Sequence, residues 1–309
     1  MSKAQKRRSL VWGKELALVL VGLASLTVVA LVGSGCDADR TEAVRAYNEG
    51  MQAFETGSTS AAVQHMEAAL ERDPTFTAAA YTAGQIQQQR LGDPESASQN
   101  FRRALDHEPD NPRYAYRLGS ALADLGEHED AIGHFAKAVS EDPDYSRAWF
   151  EKGGSQEVVG DIVEAVSSYT KSIETNPRLR MDEEDAGGEA YHALADLYLR
   201  FRLYDHAAQV YENGVLNNSS SERLHHGLGV ALMRLERFDD AVAAFEEALE
   251  IDPQHGSANF NIAIAQHESG DLDAALEQLT QLIEQGGNWM TEPRRQAAQA
   301  LLDDLSQEE

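Results

Sequence analysis

The chain has 309 residues, 52 acidic side chains against 26 basic ones, a formal net charge of −26 at pH 7, and a single cysteine. That acidity sets the folded part against nucleic acid and against an anionic lipid surface, because both are polyanions. One thiol excludes a disulfide framework, and no composition break divides the length into two ordinary domains.

In chain order the first element is a leader, residues 1–36, that does not belong to the fold. Lys3, Lys6, Arg7, Arg8 and Lys14 precede an uncharged run from Leu16 to Val32, and Gly33-Ser34-Gly35-Cys36 follows. This resembles a bacterial lipoprotein signal, which implies a lipid on Cys36 as the new N-terminus. The family prefers leucine where this chain has Gly33. The apolar run, 17 residues, also approaches the length of about 17–25 that spans a bilayer, so an uncleaved signal anchor is the alternative. Either way the basic cluster stays cytoplasmic. The remainder is then expected on the extracytoplasmic side of the cell envelope, anchored to a membrane. Arg7-Arg8-Ser9-Leu10 resembles a twin-arginine export signal, with the general route as the alternative. Residues 37–42 read as a short tether.

Beyond residue 42 a proline recurs. Pro74, Pro109, Pro143 and Pro177 are 35, 34 and 34 residues apart, and Pro253 lies 76 further on, two periods of 34 plus eight. Seven units can be laid end to end: 43–76, 77–111, 112–145, 146–179, 188–221, 222–255 and 256–289. Position 8 is Gly50, Gly84, Gly119, Gly153, Ala195, Gly229 and Ala263; position 20 is alanine in every unit, from Ala62 to Ala275. Position 24 is Met66, Phe101, Phe135, Tyr169, Tyr211, Phe245 and Leu279. The second unit carries one extra residue, best placed between Gly84 and Leu91.

This pattern resembles the tetratricopeptide-repeat (TPR) family over nearly the whole chain after residue 42. The resemblance implies an all-α fold, a right-handed superhelical solenoid of about seven helix-turn-helix units, with units 1–4 in 43–179 and units 5–7 in 188–289. Small residues at 8 and 20 let two helices approach, and the bulky residue at 24 lies on the same face as 20 and fills the seam. Gly57, Gly92, Gly126, Gly160 and Gly270 fall where the first helix ends and a left-handed cap favours glycine. Arg202 and Glu236 occupy that slot in units 5 and 6, so those turns are expected to be made differently. Residues 180–187 form an acidic insertion, read as a long inter-repeat loop or as a hinge or contact loop. In 290–309, a capping helix with an acidic tail, Ala297, Ala298, Leu301, Leu302 and Leu305 share one stripe against Arg294, Arg295, Gln299, Asp303 and Asp304.

No catalytic constellation emerges, so the chain reads as a non-enzyme without cofactor or metal. His225 and His226 are adjacent on a helix and point about 100° apart; His225 takes the position-4 packing slot and His226 the groove face. Asn217 and Asn218 each start a glycosylation sequon, of meaning only in a host that reads it.

In TPR proteins the first helices line a concave groove through positions 2, 5, 6, 9, 12 and 13. Projected here, the groove collects Arg113, Arg117, Arg147, Arg200, Arg223 and Arg234 beside Tyr47, Tyr81, Tyr116, Phe150, His192, His226 and Phe260. Guanidinium forks suit carboxylates and aromatics supply rigid contact area, so the expected ligand is a protein segment or a peptide with acidic groups or a free C-terminus. Arg113 and Arg117 match the third repeat of the carboxylate clamp found in some family members, but Tyr47, Met51 and Thr82 stand where its first two repeats need lysine and asparagine. The alternative for the arginines is pairing within the chain, with carboxylates such as Asp124, Glu151 and Asp196. The overall reading is an anchored scaffold for partner proteins in an envelope complex. A self-associating structural protein, or a non-catalytic subunit of a transporter or enzyme complex, is the alternative.

Overall fold

The computed structural model of the chain describes residues 37–175, 186–285 and 291–307. The leader with Cys36, Pro177, residues 180–185 of the expected insertion and the last two residues of the tail lie outside the described residues. Among the described residues there are fifteen α-helices and no strand. They run in antiparallel pairs: α1 Asp37–Glu55 with α2 Thr59–Arg72, α3 Thr77–Ile86 with α4 Pro94–His107, α5 Pro112–Asp124 with α6 His128–Glu141, and α7 Ser146–Val159 with α8 Ile162–Thr175. Beyond the insertion come α9 Ala186–Arg200 with α10 Tyr204–Asn217, α11 Glu222–Arg234 with α12 Phe238–Ile251, α13 Gly256–Glu268 with α14 Leu272–Gln285, and α15 Glu292–Leu305. The helices stack into one solenoid, each first helix also touching its counterparts in flanking units from α5 to α13.

Five of the pairs share one recurrent contact, a glycine at position 8 set against the large residue at position 24. A Cβ added to Gly84 would meet the Phe101 ring at 2.7 Å, to Gly119 the Phe135 ring at 2.9 Å, to Gly153 the Tyr169 ring at 2.7 Å and to Gly229 the Phe245 ring at 2.5 Å. Phe101, Phe135 and Phe245 are fully buried, each worth about 1.5–3 kcal/mol of apolar transfer. The invariant alanine of position 20 is fully buried in every unit. Polar side chains close the ends: Asp93 accepts from the Ser96 amide at 3.0 Å, Asn111 from Arg113 at 3.1 Å, while Pro94 and Pro112 open their helices without a free amide to satisfy.

The extra residue of unit 2 is absorbed as a turn of π-helix, Gln87–Leu91, following α3. Its Gln87 accepts from the buried Asn100 side chain at 2.9 Å, so the insertion leaves both ends of the pair in register.

Four expectations need correction. Residues 37–42 are no tether: they open α1, where Arg40 pairs with Asp73 at 3.1 Å and Glu42 with Arg72 at 2.9 Å. The turns at Arg202 and Glu236 are not made differently either. Both residues take the left-handed conformation (φ 58° and 60°) that the glycines take at φ between 64° and 90°. The amides that follow still reach back five residues, Leu203 to Tyr198 and Arg237 to Leu232 at 2.9 and 3.0 Å, because that bond closes the helix whichever side chain is present. In α15, Ala298 and Leu305 are buried and Leu301 and Leu302 pack beside them, whereas Ala297 is exposed and Arg295 is half-buried against the Ile283 carbonyl. Residues 186 and 187, assigned to the insertion, begin α9.

Arg202→Gly and Glu236→Gly should each raise the urea unfolding midpoint by the equivalent of about 0.5–1 kcal/mol, since a Cβ disfavours the left-handed region. A second comparison isolates the helix contact. Gly119→Ala should destabilise by about 1–3 kcal/mol through the clash with Phe135. Gly133→Ala, on the exposed face of α6 where an added Cβ meets nothing within 4 Å, should stabilise by up to about 1 kcal/mol.

Candidate functional site

Position 5, the position expected to face the concave groove, carries a ring in all seven first helices: Tyr47, Tyr81, Tyr116, Phe150, His192, His226 and Phe260. These rings rest on the core. Tyr81 lies 5.9 Å from Phe101, Tyr116 5.9 Å from Phe135, Phe150 5.7 Å from Tyr169, His192 5.9 Å from Tyr211 and His226 5.5 Å from Phe245, all between ring centroids. The groove floor is therefore a column of half-buried rings bedded on the position-24 residues. Tyr116 is the exception: at 8% exposure it belongs to the core and offers a ligand almost nothing.

A further set of rings covers the column, three from the inter-unit turns and one, Tyr114, from the first turn of α5. Phe76 approaches Tyr47 at 5.3 Å, Tyr114 approaches Tyr81 at 5.1 Å, Tyr145 approaches Tyr116 at 5.0 Å and His255 approaches His226 at 4.6 Å. Phe76, Tyr145 and His255 all stand at position 34, so the signal was present in the same register that located position 5.

The arginines divide into two groups. Arg147 is held within the chain: its Nε and a terminal nitrogen reach Glu151 at 3.0 Å and Glu189 at 3.1 Å, and its guanidinium lies 5.5 Å from the Phe150 ring. Burial keeps the Glu151 carboxyl above its usual range although Arg147 pulls the other way. Arg200 is likewise paired with Glu157 and Asp196, and Glu157 also accepts from the Tyr169 hydroxyl at 3.0 Å. Of the three carboxylates proposed for such pairing, Glu151 and Asp196 take part, but Asp124 instead accepts from Gln88 at 2.6 Å. Glu157 and Glu189 are partners that sequence reasoning missed.

Arg113, Arg117, Arg223 and Arg234 have no carboxylate within 4.0 Å among the described residues. Arg113 is exposed and faces the turn Glu108–Pro112. Arg117 is half-buried, 5.5 Å from the Tyr116 ring. Arg223 and Arg234 are exposed at the two ends of α11.

Arg147, Phe150, His192, Arg200 and Arg223 converge on one open depression of about 410 Å³, with Glu157, Glu189 and Asp196 in its wall. It bridges α7, α9 and α11, and the buried Ala165, Tyr169, Leu194 and Leu197 carry the core beneath it from unit 4 to unit 5. Toward the C-terminal end the groove changes character, with half-buried Val230, Met233, Phe260 and Ile264 at groove positions.

Of the paired histidines, His225 is buried with Nε2 3.1 Å from the Ser219 carbonyl oxygen. His226 is half-buried against His255, and its Nε2 lies 3.3 Å from the Asn261 amide nitrogen. Burial, then His255 and His192, lowers the His226 pKa from 6.5 to about 4. Burial and Arg223 lower that of His192. Among the described residues no three His, Cys, Asp or Glu side chains are grouped to hold a metal. Among them no helix is long and apolar enough to cross a membrane.

A family model described as tetratricopeptide repeat matches residues 88–146 and 192–256, and a second of the same description matches 232–302, together more than half of the chain. No curated protein matches the sequence. Among solved structures, a tetratricopeptide repeat protein from Parabacteroides merdae superposes with a TM-score of 0.54 at 16% identity, covering 86% of this chain and 99% of its own. YrrB, described as a TPR protein with an unusual peptide-binding site, gives 0.52 at 19% identity over 66% of this chain and 99% of its own. A MamA protein gives 0.50 at 23% identity over 59% and 94%. Identities this low show a common fold.

A neutral His226 favours the fold. The cost of charging it is absent above pH 6.5 and complete below about pH 4. His226→Phe should therefore lose less stability than the parent when the pH falls from 7 to 4.5, measured as the shift in urea midpoint.

Proposed function

The chain belongs to the tetratricopeptide-repeat family, and on that premise we propose that it is a membrane-anchored extracytoplasmic scaffold that gathers partner proteins through its concave groove. Arrays of this family are generally non-catalytic protein-interaction platforms. The observation that carries the reading is the 410 Å³ depression across α7, α9 and α11, where arginines and rings converge on an open face. A peptide laid there meets planar rings already fixed by the core, so little side-chain entropy is lost on binding. Exposed Arg223 offers a fork to a carboxylate at one wall, and Arg117 and Arg113 extend the cationic line into unit 3. YrrB, of the same fold, is described as having a peptide-binding site, which supports a peptide or an unfolded protein segment as the ligand class.

The anchoring half of the proposal rests on the leader alone. Basic residues, an apolar run and Gly-Ser-Gly before Cys36 are the features of a lipid-modified N-terminus. The assembly served is a complex of the cell envelope. Self-association has no observation in its favour here, since copies of charge −26 repel one another.

Two experiments test this. Cross-linked pull-down from solubilised envelope should capture a partner with the full chain and lose it with Arg117→Glu, Arg223→Glu and Arg234→Glu combined, a variant still helical by circular dichroism. An unchanged partner list would sink the groove. Separately, metabolic labelling with a radioactive fatty acid should mark the parent and not Cys36→Ser; equal labelling, or none, would refute the lipid anchor.

A further inference from the structure

Among the described residues eight large apolar side chains are notably exposed, and they are not scattered. Six sit at the turn between the first and second helices of consecutive units 2–5: Leu91 at 44% exposure, Leu125 at 38%, Val158 at 64%, Val163 at 78%, Phe201 at 54% and Leu203 at 45%. In units 6 and 7 the slot of Leu91 and Leu125 holds half-buried Leu235 and the polar Ser269. The neighbouring turns are tied together. Gln88 of unit 2 donates to Asp124 of unit 3, and Arg200 of unit 5 pairs with Glu157 of unit 4. The six residues thus form rungs along one edge of the solenoid, outside the floor of rings.

Large apolar side chains left exposed in successive turns along one edge mark an interaction site, and charge decides what occupies this one. Exposed Glu127, Glu129, Asp161 and Asp205 flank the rungs. Of the cations on the edge, Arg200 is neutralised by Glu157 and Asp196, Arg90 lies 5.8 Å from the Phe54 ring, and Arg202 stands exposed between Phe201 and Leu203, a single positive charge outnumbered by the flanking carboxylates. A second copy, or an anionic membrane, would press like charge against a chain of net charge −26. We infer that this edge docks a basic amphipathic helix of a partner protein, with apolar side chains on the rungs and lysines or arginines over the flanking carboxylates. Helices of adjacent units pack about 8–10 Å apart, and seven residues of an α-helix rise about 10.5 Å. A helix running along the edge therefore brings an apolar side chain to each rung once every two turns.

The probe is a fluorescent helical peptide of about 22 residues, roughly 33 Å long, with leucines on one stripe and lysines elsewhere. The same peptide with glutamate for lysine is the control. Anisotropy is read with the full chain in mild detergent at about 0.15 M salt, where unspecific attraction is screened beyond about 8 Å. The lysine peptide should bind and the glutamate peptide should not. Val163→Glu with Phe201→Glu should weaken binding on the order of tenfold or more, as loss of two anchors implies. The milder pair Val163→Thr with Phe201→Gln should weaken it less and guards against misfolding, with the urea midpoint as check. Arg223→Glu with Arg234→Glu in the groove should leave it unchanged. No binding of the lysine peptide, equal binding of both peptides, or binding indifferent to the edge pairs and sensitive to the groove pair would each overturn the inference.

Discussion

The structure depends on one close approach: a residue without a side chain, or with only a methyl, set against a large group on the partner helix. With glycine at position 8, the ring at position 24 can lie within ordinary contact of bare backbone, which is why a Cβ at Gly84 or Gly153 would stand 2.7 Å from it. That approach fixes where the ring at 24 sits, and the ring at 24 is the bed on which the ring at 5 rests. The spacing of the groove floor is thus inherited from a packing constraint inside each unit. Unit 5 departs from the pattern in an instructive way. Ala195 places a methyl at position 8, and Tyr211 lies against Gly227 of the next unit, where a Cβ would stand 2.3 Å from its ring. The second glycine of Gly227-Leu228-Gly229 serves its own unit, and the first serves its neighbour.

This architecture was legible because period and residue size report the same geometry. Seven small residues at 8, seven alanines at 20 and seven bulky residues at 24, five of them rings, point to one face without any information about distant contacts. The extra residue of unit 2 could even be located, because the register is intact up to Gly84 and resumes after Leu91; the π turn occupies that interval. What failed concerns backbone tolerance. From glycine in five units it follows that the turn favours glycine, not that a turn with Arg202 or Glu236 must change shape. The six-residue closure outweighs the roughly 1 kcal/mol that a Cβ costs there.

The charge pairing was less legible, although its signal was periodic too. Arg147 and Glu189 are 42 residues apart, and Arg200 and Glu157 are 43. Once the eight inserted residues are subtracted, the first separation becomes one repeat of 34 and the second one repeat plus a residue. Position 2 then reads Arg113, Arg147, Glu189 and Arg223 in units 3–6, a sign change at unit 5 that sets opposite charges side by side. Pairing within the chain is foreseen from the sequence for Asp124, Glu151 and Asp196, but Glu157 and Glu189 are not named for it, although they stand at groove positions 12 and 2 of their own units.

Pairing within the chain and binding of a ligand are nevertheless not exclusive, and the magnitudes say why. Arg147 and Glu189 are 31% and 35% exposed, Arg200 and Glu157 49% and 25%, so water still reaches all four groups. Pairs of that exposure contribute about 0–1 kcal/mol, a small barrier to exchange. A carboxylate arriving in the depression can replace Glu189 at Arg147 at nearly constant electrostatic energy, and the displaced Glu189 returns to solvent from a position already half in it. In the structure the glutamates hold the two guanidiniums near the Phe150 ring and the Tyr169–Glu157 hydrogen bond. The ion pairs thereby keep the forks ordered in the groove, while Arg223 has no carboxylate partner among the described residues.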